Sequence, residues 1–507
     1  MNSNISQEKI ELLGKIVLLL VIFLIVAVRL KAFFHGSSLM IDEANVARNI
    51  AERGFLQLWQ NLDYEQYAPP LFLTIVKIST LIFGMNEYAL RLPALLASLL
   101  CIYLIIRLCR HPGLQLNNWY ISIALVLFGS SYIMLMQSNM LKQYTTDAML
   151  ALFFVLIAIN SNYKQFFKAS GILLWTIMGV LSIWSSMPVV FVLAAVGLYF
   201  FKQSVDAGEW KKFMLYFSFL TGVWALNFFL YFFFLLKSDA ESSYLQNYHG
   251  QYFLDYALWQ KEAWIQNWKI IKGLINAYIG SSAIAIVWFL VLLAAGKIYL
   301  AKSKKGYFLL FLLPISFAAL ASFLNYYSFI PRLLLFSMPL IFVVLVLGFR
   351  WLWNETPIFA KAFLLLSTVF VLMKMNGWIY LHPEKHCLME ETREVMDELK
   401  NDIRSGTAVF VNHEGSPAIT FYVQYHDNKE KYSVFKDFRW IFWNEDMVEE
   451  ASNYLKNSPE RKLCIIWGHS LNHLINNDVK AIKAKGYRME TDIEKWRARA
   501  TKWTSAQ

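Results

Sequence analysis

Long uncharged apolar runs dominate this chain. They fall near 12–34, 89–108, 118–136, 145–160, 170–186, 188–201, 213–236, 274–300, 307–323, 331–349 and 360–379. At about 20 residues per crossing, with some shorter runs accepted, they predict about eleven transmembrane helices. The first run, Leu12 to Phe34, has spanning length and no small-residue cleavage site after it, so it is expected to be a retained helix rather than a cleaved signal. One further run, Pro70 to Phe83, is too short to span comfortably. Its Thr74, Lys77 and Thr80 recur every three residues, which predicts a helix lying in the membrane interface. With that run left outside, Arg107/Arg110, Lys164/Lys168, Lys202/Lys211/Lys212, Lys302/Lys304/Lys305 and Arg350/Lys361 all fall on the cytoplasmic side. Counting it as a span would flip every later loop against the positive-inside tendency. The N-terminus is then cytoplasmic. The segments 35–88, 237–273 and everything from about 380 lie outside.

The last segment changes character. Thr407–Val411 and Leu463–Trp467 read as buried strands, and Met447–Lys456 and Leu471–Lys485 as helices. Strand–helix alternation predicts a small α/β domain. The expected fold class is therefore a polytopic α-helical membrane protein with a small C-terminal α/β extracytoplasmic domain. Its organisation is a membrane module over 1–379, which includes the outer loop 35–88, and the α/β domain over 380–507. No strong internal repeat is visible, which counts against a transporter built from inverted halves.

Composition agrees. Only 16% of residues are charged, against about a quarter in soluble domains. The net charge of +11 is scattered over short loops with no dense basic stripe, which argues against nucleic-acid binding. The four cysteines, Cys101, Cys109, Cys387 and Cys464, have no metal spacing. Pairing of Cys387 with Cys464 is left open. His382/His386 and His469/His473 have i,i+4 spacing but no acid cluster beside them, so a metal site there is not expected.

The chemistry concentrates after the first span. Asp42-Glu43 opens a short amphipathic stretch that ends at Gly54. Read locally, Asp42 is a helix N-cap and Glu43 a helix-dipole contact. Two carboxylates beside a membrane can also deprotonate an acceptor or hold a metal. Next come Tyr64-Glu65-Gln66-Tyr67-Ala68-Pro69-Pro70-Leu71-Phe72, then Gly84-Met85-Asn86-Glu87-Tyr88-Ala89-Leu90-Arg91-Leu92-Pro93. Gln137-Ser138-Asn139-Met140-Leu141-Lys142-Gln143-Tyr144-Thr145-Thr146-Asp147 follows later, and after it Tyr327-Ser328-Phe329-Ile330-Pro331-Arg332.

This ordered set resembles the GT-C membrane glycosyltransferases, specifically the protein O-mannosyltransferase and lipid A aminoarabinose transferase relatives. The likeness runs over about residues 10–160 and is weaker around Arg332. It implies transfer of a sugar from a polyprenyl-phosphate donor to an acceptor hydroxyl at the outer face of the membrane, with inversion. By the same resemblance Asp42 is the general base, and Glu43 orients the site or binds acceptor. Lys77, Lys142 and Arg332 are the candidate cations for the donor phosphate. Gln66, Tyr67, Arg91, Tyr144, Asp147 and His249 are candidate substrate contacts. The implied partners are a lipid-linked sugar, an acceptor lipid, glycan or protein, and membrane lipids. The implied place is a bacterial inner membrane with the site facing the periplasm. A divalent metal ion is left open. Two departures stand out. Relatives that carry His or Lys just before Pro-Pro are matched here by Ala68, and a second-motif Arg is replaced by Lys142. Lysine binds phosphate without the planar fork of arginine. The rival readings are a lipid-sugar flippase and a non-catalytic membrane scaffold.

Overall fold

The computed structural model describes residues 2–237, 243–302, 305–376, 390–403, 407–442, 445–458, 462–470 and 472–505. His382, His386 and Cys387 lie outside these. The helices run α1 (Asn2–His35), α2 (Ile41–Glu52), α3 (Pro70–Phe83), α4 (Glu87–Cys109), α5 (Asn118–Ser130), α6 (Tyr132–Gln137), α7 (Tyr144–Ile159), α8 (Ala169–Ser185), α9 (Val189–Asp206) and α10 (Trp210–Tyr231). Then come α11 (Ser243–Gly250), α12 (Lys261–Ile279), α13 (Ala283–Lys302), α14 (Tyr307–Phe323), α15 (Met338–Glu355) and α16 (Ile358–Asn376). Four shorter helices follow: α17 (Thr392–Leu399), α18 (Ser416–Gln424), α19 (Met447–Asn457) and α20 (Asn472–Ala484).

Among the described residues, seven helices are long and apolar enough to cross a membrane. They are α1, α4, α9, α10, α13, α15 and α16, with α10 extended by a π-turn through Leu236 and α15 preceded by a 3-10 turn. The expected spans at 118–136, 145–160, 170–186 and 307–323 are shorter apolar helices. The first of these is broken: α5 and α6 part at Ser131, whose backbone is extended (ψ 115°). The run Pro70–Phe83 forms α3 over its full expected length.

The chain divides into two compact units. One comprises Met1–Lys31, Pro69–Phe72 and Pro93–Pro383; the other comprises Ala32–Ala68, Leu73–Leu92 and Glu384–Gln507. The first outer loop thus clusters with the C-terminal segment. In the helical unit α15 is the central element, with every residue from Met338 to Phe349 buried. A helix apolar on all sides belongs in such a position.

The second unit holds a five-stranded sheet of order β2-β1-β3-β5-β4. Its strands are β1 (Ala408–Asn412), β2 (Arg439–Ile441), β3 (Lys462–Trp467), β4 (Tyr487–Lys495) and β5 (Ala498–Ser505). β2, β1 and β3 are parallel, and β5 and β4 are antiparallel to their neighbours. On one face Phe410, Ile441, Leu463, Ile465, Trp467 and Trp503 meet α19 and α20 in a buried cluster. The sequence predicts β1, β3, α19 and α20 to within a residue or two and misses β2, β4 and β5.

Candidate functional site

In the second unit the two adjacent acids part ways. α2 is N-capped by Met40, not Asp42, which instead occupies the first turn. Glu43 is fully buried. Its Oε1 accepts from Arg91 Nε at 2.9 Å and its Oε2 from Arg91 Nη2 at 2.7 Å. This is the bidentate fork geometry that makes arginine–carboxylate pairs strong. Glu43 Oε2 also faces the Met40 N–H at 3.4 Å, the reach-back half of a capping box. Arg91 adds bonds to the carbonyls of Ser37 (2.7 Å) and Ser38 (3.1 Å). Arg91, a candidate substrate contact by sequence, thus clamps the chain leading into α2. Glu43 orients α2 and leaves no oxygen exposed for an acceptor. Asp42 is half-buried. Among the described residues no side chain hydrogen-bonds or pairs with its carboxylate.

The Gly84–Pro93 motif acquires physical roles. Gly84 has φ +88°, and a Cβ there would sit 2.0 Å from Asp427 Oδ2. Only glycine fits both demands. Asp427 accepts from the Met85 N–H at 2.7 Å. Asn86 caps α4 through the Ala89 N–H at 3.0 Å. Glu87 is buried and gathers Arg393, the Tyr422 hydroxyl (3.0 Å) and His426 Nε2 (3.2 Å). The neighbouring acids hold Arg393 firmly charged despite its burial. Tyr422 also accepts from the Leu39 N–H at 2.8 Å. The first outer loop and the α/β domain are therefore laced together through groups more than 300 residues apart in the sequence.

Lys77 is placed where the sequence does not expect it. Its ammonium donates to the carbonyls of Ile50 (2.7 Å) and Arg53 (2.5 Å). These are the open carbonyls at the C-terminus of α2, where a cation also meets the negative end of the helix dipole. Burial lowers its pKa. The polar stripe of α3 thus faces inward, and its outward residues, Ile75, Ile78, Leu81, Ile82 and Phe83, are apolar. Lys77 thus caps a helix through the carbonyls of Ile50 and Arg53. Gln66 donates to the Tyr64 carbonyl at 3.3 Å beside Tyr67, in a turn where Tyr64 and Glu65 have positive φ.

In the helical unit three of the remaining candidates lie at the start of α7. Lys142, Tyr144 and Asp147 are buried where the chain enters that helix. Thr145 ties the turn to the Ala94 carbonyl at 2.9 Å. Buried side-chain oxygens of Gln137, Gln143, Asp147 and Ser186 find no hydrogen-bond partner among the described residues. Arg332 donates to the Tyr248 hydroxyl at 3.2 Å and lies over its ring at 5.7 Å. His249 Nδ1 meets Ser328 Oγ at 2.7 Å, and burial lowers its pKa, with Arg332 adding to the effect. Trp259, Trp264 and Trp268 of the same loop are exposed.

This fold is similar to that of ArnT from Cupriavidus metallidurans. In the apo state that structure matches at 14% identity and TM-score 0.48, covering 95% of this chain and 97% of that one. Bound to undecaprenyl phosphate it matches at 13% identity and TM-score 0.49, with the same coverage. A third similar structure is the archaeal oligosaccharyltransferase AglB from Archaeoglobus fulgidus, in complex with an inhibitory peptide and a dolichol-phosphate. It matches at 12% identity and TM-score 0.48, covering 90% of this chain and 69% of that one. No family model matches this sequence, and no curated protein matches it.

Sequence reasoning missed several residues. Arg393, Tyr422 and His426 carry no motif, and only the fold brings them to Glu87. Arg29, inside the first apolar run, is fully buried with Nε on Ser98 Oγ at 2.8 Å and its guanidinium 4.8 Å from the Phe128 ring. Its signal was available, because an arginine within a span is expensive and seldom idle. Among the described residues no three His, Cys, Asp or Glu side chains gather as metal ligands.

Proposed function

We propose that this integral membrane protein is an inverting glycosyltransferase that uses a polyprenyl-phosphate-linked sugar. The observation that carries the reading is the division between Asp42 and Glu43. One acid is locked into a buried arginine clamp, and its neighbour stands in the same first helical turn with a carboxylate that has no side-chain partner among the described residues. An acceptor hydroxyl is a poor nucleophile at neutral pH. Asp42 takes its proton as the oxygen attacks the anomeric carbon, and the bond from that carbon to the lipid phosphate breaks. Such base catalysis contributes about 10²–10⁴-fold. The departing phosphate carries its charge away, and fixed cations that face it lower the barrier. Lys142 and Arg332 are assigned that role. Asp147, Tyr144 and His249 are assigned to the sugar. The motif order supports the donor class, and the distribution of basic loops supports the outer placement.

The test uses purified protein in nanodiscs with a radiolabelled polyprenyl-phosphate sugar. The wild type releases polyprenyl phosphate and labels an acceptor with inverted configuration. Asp42→Asn keeps donor binding and loses transfer. A variant that still moved lipid-linked sugar across the bilayer, in a protein that never labelled an acceptor, would instead establish a flippase.

A further inference from the structure

The carboxyl end of the small sheet carries a second polar centre. β1 leaves through Asn412-His413-Glu414-Gly415 into α18, which packs on α17. β3 leaves through Gly468-His469-Ser470 toward α20, on the face covered by α19 and α20. Neither α17 nor α18 contributes to the cluster on that face. Adjacent parallel strands whose loops depart to opposite faces open a crevice at their carboxyl ends, the usual ligand position in open α/β sheets.

The crevice is built from close contacts. A Cβ on Gly415 would lie 2.8 Å from Gly468 N, and one on Gly468 would lie 2.7 Å from Gly415 Cα. Asn412 Nδ2 donates to the Gly468 carbonyl (2.9 Å), Ser470 Oγ (3.0 Å) and Glu414 Oε2 (2.9 Å). His469 is held with φ +52° and its Nδ1 3.0 Å from buried Glu390. Two nitrogens at this end, His413 Nδ1 and Arg497 Nε, are buried without a hydrogen-bond partner among the described residues. On the β2 side three rings form a strip. The His413 ring lies nearly parallel to Trp440 (18°) and Phe442 (27°), and Trp440 and Phe442 are 5.3 Å apart. Trp440 and Phe442 are 47% and 45% exposed.

We propose that this crevice binds a glycan segment of the acceptor. Flat exposed rings pack against the C–H faces of a sugar, and the nitrogens of His413 and Arg497, unpartnered among the described residues, are the polar groups at this end left to meet its oxygens. Three neighbouring strands set the width at about 10 Å, from a spacing of about 4.8 Å. That suits several sugar rings rather than one. The crevice also lies next to the chain that carries Asp42. The Glu390 carbonyl accepts from Ser38 Oγ at 2.7 Å, and Ser38 is four residues before Asp42, about 14 Å at full extension. The acceptor role rests on the transferase reading, whereas glycan binding does not.

The test is microscale thermophoresis of the full chain in nanodiscs against short glucan, mannan, galactan and N-acetylglucosamine oligomers. At least one class binds saturably. Trp440→Ala weakens it about tenfold, which corresponds to about 1.4 kcal/mol, and Trp440→Phe retains most of the affinity. Asp42→Asn binds as the wild type does, so loss of catalysis and loss of glycan binding are told apart. Absence of saturable binding to all four classes, equal binding by Trp440→Ala, or quenching of Trp440 by brominated lipid, which would make the strip a membrane contact, overturns the proposal.

Discussion

The clamp around Glu43 and the polar residues entering α7 are built on opposite principles. In the clamp the buried charges of Glu43, Arg91 and Glu87, and the half-buried Arg393, have partners at hydrogen-bond distance. At α7 the side-chain oxygens of Gln137, Gln143, Asp147 and Ser186 are buried with none among the described residues. Folding alone favours the first arrangement, because a satisfied network fixes geometry. It disfavours the second, because each buried unsatisfied group costs about 1–3 kcal/mol. On the proposed function, the unsatisfied oxygens at α7 are groups that a bound donor would meet.

The largest effect should come from breaking the clamp. Arg91→Ala leaves Glu43 buried and unpaired and should cost about 3–5 kcal/mol. Thermal unfolding followed in nanodiscs measures it. The double variant Glu43→Leu/Arg91→Met should recover most of that loss, since an apolar pair can replace a buried ion pair at little cost. The opposite sign is expected at α7. Asp147→Leu should raise stability by about 1–3 kcal/mol and weaken binding of the polyprenyl-phosphate-linked sugar more than binding of the bare polyprenyl phosphate. Unchanged stability together with full donor binding would erase the distinction between the two regions. The smallest effect belongs to Lys77. Lys77→Met should cost about 1–2 kcal/mol through two lost carbonyl bonds and leave donor affinity unchanged. A large loss of donor affinity would return Lys77 to the phosphate.

The sequence made the fold legible where periodicity is strong. Buried apolar strands such as Leu463–Trp467, and the 14 residues of α3, are found where the pattern puts them. It failed at β4, whose residues alternate between half-buried and exposed and include Arg488, Glu490, Asp492 and Glu494. The signal was present, because Tyr487, Met489, Thr491 and Ile493 alternate with those charges in the period-2 pattern of a half-buried strand. Sequence reasoning also failed to see Ser131 breaking a continuous apolar run. In the site, motif order drew attention to Glu87 and Arg91 but not to what they do. Their roles depend on Arg393 and His426 for one, and on the exact turn at Ser37–Ser38 for the other. Lys77 shows a limit of sequence, because a cation beside a predicted interface looks the same whether it meets a phosphate or, as observed, the carbonyls at a helix end.

The most direct test compares sugar transfer by Asp42→Asn and Glu43→Gln, each scored beside its unfolding temperature. The account predicts that Asp42→Asn unfolds like the wild type and transfers at least about 100-fold more slowly. It predicts that Glu43→Gln unfolds at a lower temperature and keeps measurable transfer while folded. Wild-type transfer by Asp42→Asn would contradict it.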